Sequence, residues 1–511
     1  MAQYNRVDST SLEIQRLDAE YYGKVYVNNA EKIDQLSKCL TLEAMRDKNT
    51  PIRRGIDMPN FVEKANSPLM VTIASFDEPG INFDQLKRIS SEQHDAFKGS
   101  HIKPGDLLIA MGGYAGKAAI CPEDTPICNI GRHTARVKID PLVAETRFIW
   151  AFIACKIGKL QFERYITGSV QAGINLEDIR SIKIPVTEVL AQKYIGDKVR
   201  QAEQLRAWAK ELRDSVDSQL DNLKLPINEP PQMINLMSAK DMEDRLDPRP
   251  YRSHYLKLTE SIESIDHESI SKITTLASGC PVSSKDFVEN EGIPLVRIRN
   301  IGFDDFIGLD TGIGEDVYQD STKYHAKEKM IVVGMDGIFR SQFFIADELP
   351  MLVNQRVAML SPTNIRGELL THWLNRPEGQ MQLNQWAVKT TVEHTSLSDI
   401  GRILIPRLDK ELEDRLADNL LSARLAYRYS KFLTQVAKTL VEALIEGQLT
   451  EEQLIQAQQA LEDGDNTLDK AILNKLSNEG YAVEGAVPLF SDVDELYSLL
   501  ASANAAADSE D

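Results

Sequence analysis

Polar and basic side chains in turn-like stretches are the residues of this sequence best suited to binding chemistry. An arginine can donate two hydrogen bonds to guanine, and an asparagine or glutamine can make the equivalent pair with adenine. For any single residue of this kind, a solvated surface charge or an ion pair at a strand end is the commoner role. The candidates are Lys117, Arg132, His133, Arg136 and, as a weaker choice, Gln171 in the first half of the chain, and Arg297, Arg299, Asn300, Arg340, Gln342 and Arg356 in the second.

Motifs for catalysis are incomplete in this sequence. The run from Gly112 to Ala118 is rich in glycine, but Ala118 stands where a phosphate-binding loop needs serine or threonine. The sequence Asp-Pro-Arg-Pro-Tyr at 247–251 differs from the Asp-Pro-Pro-Tyr motif of amino-methyltransferases by an inserted arginine. No Glu-x-Lys nuclease motif occurs, and the close pair Cys121 and Cys128 lacks partners at zinc spacing. We therefore expect a binding protein without a catalytic site, a metal or a cofactor of its own.

The charge of the chain is the main objection to a nucleic-acid partner. The net charge is −19, whereas DNA-binding surfaces are basic. Residues 446–511 hold fifteen Asp or Glu and two Lys, a net charge of −13, which leaves −6 for residues 1–445. DNA binding would therefore depend on local basic patches, and a partner would supply most of the phosphate contacts.

The same composition predicts a soluble cytoplasmic protein. No run of 18 apolar residues occurs, so no membrane span is expected. The first residues lack the apolar core of a signal peptide. Five cysteines at scattered positions fit a reducing compartment.

The long middle of the sequence occurs twice. Arg-Leu-Asp-Ala-Glu-Tyr-Tyr at 16–22 returns as Arg-Leu-Asp-Pro at 245–248, followed by Tyr251. Leu-Glu-Asp-Ile at 176–179 returns 221 residues later as Leu-Ser-Asp-Ile at 397–400. A repeated unit of about 220 residues is too long for a solenoid repeat and long enough for a domain. Two similar domains suggest a ligand with two separated, similar sites, for which duplex DNA is the obvious candidate.

Each copy has the pattern of a mixed domain. In the first copy, two strand-like runs at 105–111 and 117–120 flank a glycine-rich turn and predict a hairpin. Apolar residues at helical spacing predict a helix over 147–165, and the corresponding helix of the second copy over 371–385.

A long amphipathic stretch follows each copy. Apolar residues recur every three or four positions, which is typical of helices with a heptad-like face. Bundle packing explains such a stripe, but not its equal placement after each copy. Helices of about 30 residues are about 45 Å long, so a pair of them would form a spacer of roughly 13 base pairs. The residues predicted to form the spacer and to bind partners are Val199, Leu205, Leu212, Leu220, Leu416, Leu420, Tyr427 and Leu440.

The order of these markers resembles the specificity subunit of type I restriction–modification systems, over residues 12–446. Further markers are Pro-Gly-Asp-Leu-Leu-Ile at 104–109, Gly-Lys-Ala-Ala-Ile at 116–120, and the Ile-Pro pairs at 184–185 and 405–406. The resemblance implies two target-recognition domains that each read half of a split DNA sequence, separated by two antiparallel helices. It also implies docking of two methyltransferase subunits that carry S-adenosylmethionine, and leaves room for a restriction–translocase subunit that uses ATP and Mg²⁺.

We therefore predict an α+β fold with two similar mixed domains, two long antiparallel helices between them and a small acidic helical extension. The predicted segments are a first target-recognition domain (1–187), a first long helix (188–225), a linker (226–234), a second target-recognition domain (235–407), a second long helix (408–446) and the acidic extension (447–511). In the extension, Thr450 is the predicted N-cap of a helix, and residues 501–511 are expected to be disordered.

Two observations keep an alternative open. The second copy has Lys-Glu-Lys-Met at 327–330 where the first has Pro-Gly-Asp-Leu at 104–107, so the second recognition domain has diverged. The acidic extension is longer than the resemblance requires. The alternative is a non-catalytic scaffold of the same origin that holds partner proteins through its helices and acidic tail without reading DNA.

Overall fold

The structure consists of two compact units that each contain one copy of the repeat. The computed structural model describes residues 12–13, 16, 18–36, 38–84, 86–167, 172–230, 232, 234–238, 242, 245–389 and 392–510. Unit 1 comprises Met1–Arg206 and Tyr429–Asp511, and unit 2 comprises Ala207–Arg428. Within the described ranges, no helix combines the length and the apolar character that crossing a membrane requires.

The mixed part of unit 1 begins with a helix and leads into the first long helix, whose residues after Arg206 belong to unit 2. Its elements are α1 (Lys24–Asp34), β1 (Cys39–Thr41), α2 (Leu42–Met45), β2 (Arg53–Arg54), β3 (Phe61–Val62), β4 (Leu69–Val71), β5 (Phe76–Asp77), β6 (Gly80–Ile81), β7 (Arg88–Ile89), α3 (Ser91–Ala96), β8 (Leu107–Ala110), β9 (Ala118–Ile120), β10 (Cys128–Ile130), β11 (Thr134–Val137), α4 (Thr146–Ala154), α5 (Lys156–Arg164), α6 (Leu176–Ser181), β12 (Lys183–Pro185) and the long helix α7 (Val189–Asp221).

The second copy repeats this order. Its elements are α8 (Ser253–Glu263), β13 (His267–Ser269), α9 (Ile270–Ile273), β14 (Thr274–Ser278), β15 (Phe287–Glu289), β16 (Ile293–Val296), β17 (Thr311–Ile313), α10 (Glu315–Asp320), β18 (Ile331–Gly334), β19 (Ser341–Phe343), β20 (Leu352–Val353), β21 (Val357–Pro362), α11 (Gly367–Asn375), α12 (Pro377–Trp386), β22 (Val388–Lys389), β23 (Glu393–His394), α13 (Leu397–Arg402), β24 (Leu404–Pro406) and the long helix α14 (Lys410–Ile445). The C-terminal helices are α15 (Glu451–Glu462), α16 (Thr467–Leu473) and α17 (Val493–Glu510).

Sheet topology confirms the duplication. Unit 1 has four-stranded sheets in the orders β10-β4-β7-β3 and β2-β11-β8-β9, and unit 2 has the corresponding orders β20-β16-β17-β15 and β14-β21-β18-β19. The register gives residue-level equivalence. Arg136 lies opposite Arg53 and Leu108, and Met359 lies opposite Ala277 and Val332 at the matching place.

The predicted hairpin is confirmed, with Leu107 opposite Ile120 and Ile109 opposite Ala118. Its turn requires a left-handed residue, because Gly113 has φ +67°. Gly337 has φ +73° at the equivalent turn of unit 2. The glycine-rich run is therefore a turn between strands β8 and β9.

The single helix predicted over 147–165 is wrong, because the chain forms α4 and α5 with an extended residue, Cys155, between them. The two helices approach closely at a glycine: a Cβ on Gly158 would lie 1.9 Å from the Phe152 carbonyl oxygen. The second copy breaks likewise, at Arg376, where α12 begins with Pro377. Apolar spacing runs through both helices of each pair, so it does not reveal the break.

The long helices are integral to the units, which differs from their prediction as separate segments. In unit 2, Val216 and Leu220 of α7 share one buried cluster with Leu416 and Leu420 of α14 and with the mixed-domain core. The guanidinium of Arg213 lies 5.8 Å from the centre of the Tyr427 ring. Arg213 of α7 thus lies near Tyr427 of α14, whereas Val216 and Leu220, further along α7, lie near Leu416 and Leu420, earlier in α14. The two helices therefore run antiparallel within unit 2.

Burial of the apolar stripes corrects one part of the sequence prediction. Val199, Leu205 and Leu440 are fully buried within unit 1, and Leu212 and Tyr427 are half-buried in unit 2. Buried residues cannot bind a partner directly, so the stripes stabilise the units themselves.

The acidic extension is a folded part of unit 1. Thr450 is the N-cap of α15, as predicted, and its side chain accepts a hydrogen bond from the Gln453 backbone. The expected disorder is wrong for residues 501–510, which belong to helix α17. Leu496, Leu500 and Ala503 of that helix are buried. Their burial offsets the conformational entropy cost of ordering this segment, which its polar composition alone would not do.

Candidate nucleic-acid interface

Three strands of unit 1 end side by side, and the loops that follow them form one surface. The Gly131 backbone donates a hydrogen bond of 3.1 Å to the carbonyl of Val71, which ends β4. The Met111 backbone, after β8, donates one of 2.7 Å to the His133 carbonyl. We call the resulting face the strand-end surface of unit 1. Its segments are 54–58, 72–75, 111–117 and 131–133.

Unit 2 has the same surface at equivalent positions. The Asn354 backbone donates to the Val296 carbonyl over 2.9 Å, and the Met335 backbone donates to the Arg356 carbonyl over 3.2 Å. The strand-end surface of unit 2 consists of segments 278–282, 297–300, 335–340 and 354–356. The duplication has therefore produced two surfaces with one backbone framework.

Both surfaces are positively charged although the chain carries a net charge of −19. In unit 1 the charged residues are Arg54, Lys117, Arg132 and a single acid, Asp57. In unit 2 the segments hold Arg297, Arg299, Arg340, Arg356 and a single acid, Asp336, and Asp310 from outside the segments pairs with Arg297 and Arg299. Local positive charge at loop ends is suited to DNA phosphates, and arginine is also suited to the edges of bases.

In unit 1 the predicted side chains differ in how free they are. Arg132 and His133 are exposed, and the Arg132 Nε donates to the His133 Nε2 over 2.9 Å. Lys117 is half-buried, and its ammonium donates a 2.7 Å hydrogen bond to the Phe76 carbonyl. Lys117 thus fixes the β5 segment, while Arg132 and His133 project from the surface.

In unit 2 the arginines of the surface are held by nearby groups. The guanidinium of Arg297 lies 5.5 Å from the centre of the Phe287 ring, and burial together with Arg299 lowers the pKa of Arg297. The guanidinium of Arg340 lies 5.1 Å from the centre of the Phe303 ring. Arg356 is exposed and lies 3.6 Å from a carboxylate oxygen of Asp336.

Two predicted base-contacting residues are structural, and the prediction is wrong for them. Asn300 is 1% exposed; its amide donates to the Ile307 carbonyl over 3.0 Å and accepts from the Arg297 backbone over 3.0 Å. Gln342 is also 1% exposed, and its amide donates to the Phe303 carbonyl over 3.2 Å. These amides satisfy backbone groups inside the fold and are not available to a base.

Two further candidates lie elsewhere. Arg136 sits inside strand β11 and donates to the His101 carbonyl over 2.6 Å, so it is not on the strand-end surface. Gln171 lies outside the described residues.

The structure adds surface residues that sequence reasoning missed. Arg54 precedes the loop that crosses the strand ends of unit 1. Tyr114 and Ile338 occupy matching positions directly after Gly113 and Gly337, and they are 77% and 60% exposed. The glycine in each turn was the signal that could have located these two tip residues.

A family model matches the part of the chain that builds this surface. Residues 71–216 match the model described as "Type I restriction modification DNA specificity domain". The matched region is similar to DNA specificity domains of this kind, and it includes segments 72–75, 111–117 and 131–133 of the strand-end surface. The resemblance predicted from the sequence motifs is thereby confirmed.

Similar proteins carry related descriptions. The type I restriction enzyme EcoBI specificity subunit of Escherichia coli is 24% identical over 183 residues, which are 36% of this chain and 36% of that protein. The chain thus spans about a third of the length of this curated relative. The S subunit of a type I restriction–modification system from M. genitalium aligns with 83% of this chain and 96% of its own, at 13% identity and a TM-score of 0.41. The HsdS subunit from Thermoanaerobacter tengcongensis aligns with 81% and 97%, at 13% identity and a TM-score of 0.28.

Proposed function

We propose that this protein recognises a bipartite DNA sequence as the specificity subunit of a type I restriction–modification system or a related methylation-based antiviral defence complex. The observation that carries the proposal is the pair of positively charged strand-end surfaces, built on the same hydrogen-bonded framework in a chain that is otherwise acidic. Each surface would read one half of the target. The match of residues 71–216 to the specificity-domain model supports this role for unit 1, which holds residues 71–206 of the match.

In this proposal the chain is not itself an enzyme. Two methyltransferase subunits would dock on it and bind S-adenosylmethionine, and a restriction subunit, if the system has one, would use ATP and Mg²⁺. Docking would involve the polar faces of α7 and α14, because their apolar faces are buried within the units. The complex would act on double-stranded DNA in the cytoplasm.

Mapping methylated bases in cells with and without the gene tests the proposal. We expect a split methylated motif that disappears on deletion and returns with the wild-type gene. The structural variant for this test replaces Arg132, His133, Arg340 and Arg356 together with alanine, and it should fail to restore the motif. The control is Lys327→Ala, since Lys327 is exposed just before β18, at the end of that strand opposite to segment 335–340.

The scaffold alternative predicts a different result. The folded acidic extension and the net charge of −6 for residues 1–445 favour it. If deletion leaves the methylation pattern unchanged, or if the four-residue variant restores the motif fully, sequence reading by these surfaces is excluded.

A further inference from the structure

We propose that Arg299, positioned by Asp310, reads a guanine in the half of the target that unit 2 recognises. This inference rests on the proposed function and adds to it one base-reading residue and its base. It also assigns this guanine contact to the half of the target that unit 2 reads, and not to the other half.

The segment that carries Arg299 is rigid. Residues Ile298–Asn300 form a single 3-10 turn directly after strand β16. The buried Asn300 side chain closes this turn, since it accepts from the Arg297 backbone and donates to the Ile307 carbonyl. Ile298 packs on the end of β18, where a Cβ on Gly334 would lie 3.2 Å from the Ile298 Cγ2. The turn therefore holds Arg299 beside the hairpin tip of the strand-end surface.

Neighbouring groups orient the guanidinium of Arg299 but do not engage all of its hydrogen-bond donors. Its side chain is 56% exposed and pairs through Nη2 with a carboxylate oxygen of Asp310. The same Nη2 lies 3.4 Å from the Thr311 hydroxyl. Asp310 and Thr311 lie together, since the Thr311 hydroxyl donates to Asp310 over 3.2 Å. They engage one N–H of Nη2, and the other N–H of Nη2 lies beside an N–H of a neighbouring guanidinium nitrogen on an edge that is open to a ligand. Because a guanidinium presents its donors in one plane, two of them can pair with the O6 and N7 acceptors of guanine.

Arg297 contacts the same carboxylate from a more buried position. Its side chain is less exposed, at 24%, and lies 3.5 Å from the same Asp310 oxygen. It also stacks over Phe287. Asp310 is thus shared by two arginines, and the outer one, Arg299, faces solvent.

Unit 1 lacks this device at the equivalent position. The 3-10 turn Ile73–Ser75 follows β4 as Ile298–Asn300 follows β16, which places Thr72 and Ala74 where unit 2 has Arg297 and Arg299. The space is a cleft of about 470 Å³ lined by residues that include Phe61, Ala74 and Lys87. A guanine contact of the Arg299 type is therefore expected in only one half of the target.

Selection from a random duplex DNA library tests the inference. The full chain, purified with any subunits that accompany it, is used as wild type, Arg299→Ala, Arg299→Lys and Asp310→Asn. Lys327→Ala, which removes one exposed positive charge before β18, at the end of the strand opposite to segment 335–340, is the matched control. Arg299→Lys keeps the charge but lacks the planar pair of donors. Thermal melting of each variant confirms that it is folded.

We expect Arg299→Ala and Arg299→Lys to lose a preference for guanine of about tenfold to a hundredfold at one position in one half of the motif. Asp310→Asn should weaken the same preference less, and the other half should be unchanged in all variants. If wild type selects a motif and both Arg299 variants select the same one, the inference is overturned while the proposed function stands. If wild type selects no motif, both fail.

Discussion

The two units share a backbone framework but fill it with different side chains. In unit 1, Arg136 lies opposite Arg53, and the buried carboxyl of Asp106 is near Arg136. Burial raises the pKa of Asp106, against the opposing effect of its hydrogen bond from Lys103 and of the nearby cations. In unit 2 the strand position of Arg136 is taken by Met359, which packs in an apolar cluster with Met330. The two units share backbone hydrogen bonds and turn glycines. The fold therefore constrains the backbone framework, and the side chains on it can differ.

A second pair of positions shows the same freedom. In unit 1, Arg180 at the end of α6 donates a 3.1 Å hydrogen bond to the Ile52 carbonyl and lies 3.6 Å from Glu43. In unit 2 the equivalent residue of α13 is Gly401, beside a cleft of about 640 Å³ lined in part by Leu276 and Trp386. Each unit thus has a cleft where the other has arginines held by neighbouring groups. Duplicated domains can diverge at such surface positions without losing the core.

The clearest difference is the acidic extension, which belongs to unit 1. Lys198 of α7 and Asp469 of α16 are 1% and 2% exposed, and their charged atoms lie 2.7 Å apart. The hydroxyls of Tyr194 and Tyr497 also donate to Asp469. One fully buried ion pair therefore joins the extension to the long helix.

Removing one member of this pair should have the largest effect on stability. Asp469→Ala leaves the Lys198 ammonium buried without a counter-charge, and we expect a loss of about 3–5 kcal/mol in the free energy of unfolding of unit 1. Hydrogen exchange, measured at increasing denaturant concentration, reports the stability of each unit separately. If amide protection in unit 2 falls as much as in unit 1, the ion pair is not a stabilising feature of unit 1 alone.

The pH dependence of the same pair is the next largest expected effect. Burial alone would raise the pKa of Asp469, but Lys198 and the tyrosine hydroxyls outweigh it and hold the pKa below its usual value. A lowered folded-state pKa gives stability that is complete above the ordinary aspartate pKa of about 3.9 and is lost as the pH falls through the folded value. The melting temperature of wild type should therefore fall more steeply than that of Asp469→Asn below about pH 4. Parallel curves for the two proteins would contradict this.

Sequence patterns predicted the elements better than the roles of single residues. Periodicity and turn glycines located the hairpin and both long helices, because those signals depend on local spacing. The burial of Asn300, in a turn, and of Gln342, in strand β19, was not predictable, because an amide has the same sequence signature whether it faces solvent or bonds to backbone groups. The helix at 493–510 was missed because its buried apolar residues are diluted by alanine and acids.

A change of Arg180 in α6 should have a smaller effect on stability. Arg180→Ala removes a hydrogen bond to the Ile52 carbonyl from a partly exposed side chain, so we expect a loss of about 1 kcal/mol in unit 1. The matched change in unit 2 is Gly401→Ala, whose Cβ would lie 3.3 Å from the Ser271 Cβ. We expect that variant to stay within about 0.5 kcal/mol of wild type. If Arg180→Ala and Gly401→Ala lower the melting temperature equally, the two equivalent positions do not differ in their contribution to stability.

The most direct test of the two-surface proposal removes basic side chains from one surface at a time. The double variant Arg132→Ala, His133→Ala changes unit 1, and Arg340→Ala, Arg356→Ala changes unit 2; each is passed through selection from a random duplex library. We expect each variant to lose sequence preference in one half of the motif and to keep it in the other, with different halves affected. If both variants lose the same half, or if neither half changes in either variant, the two strand-end surfaces are not the two readers.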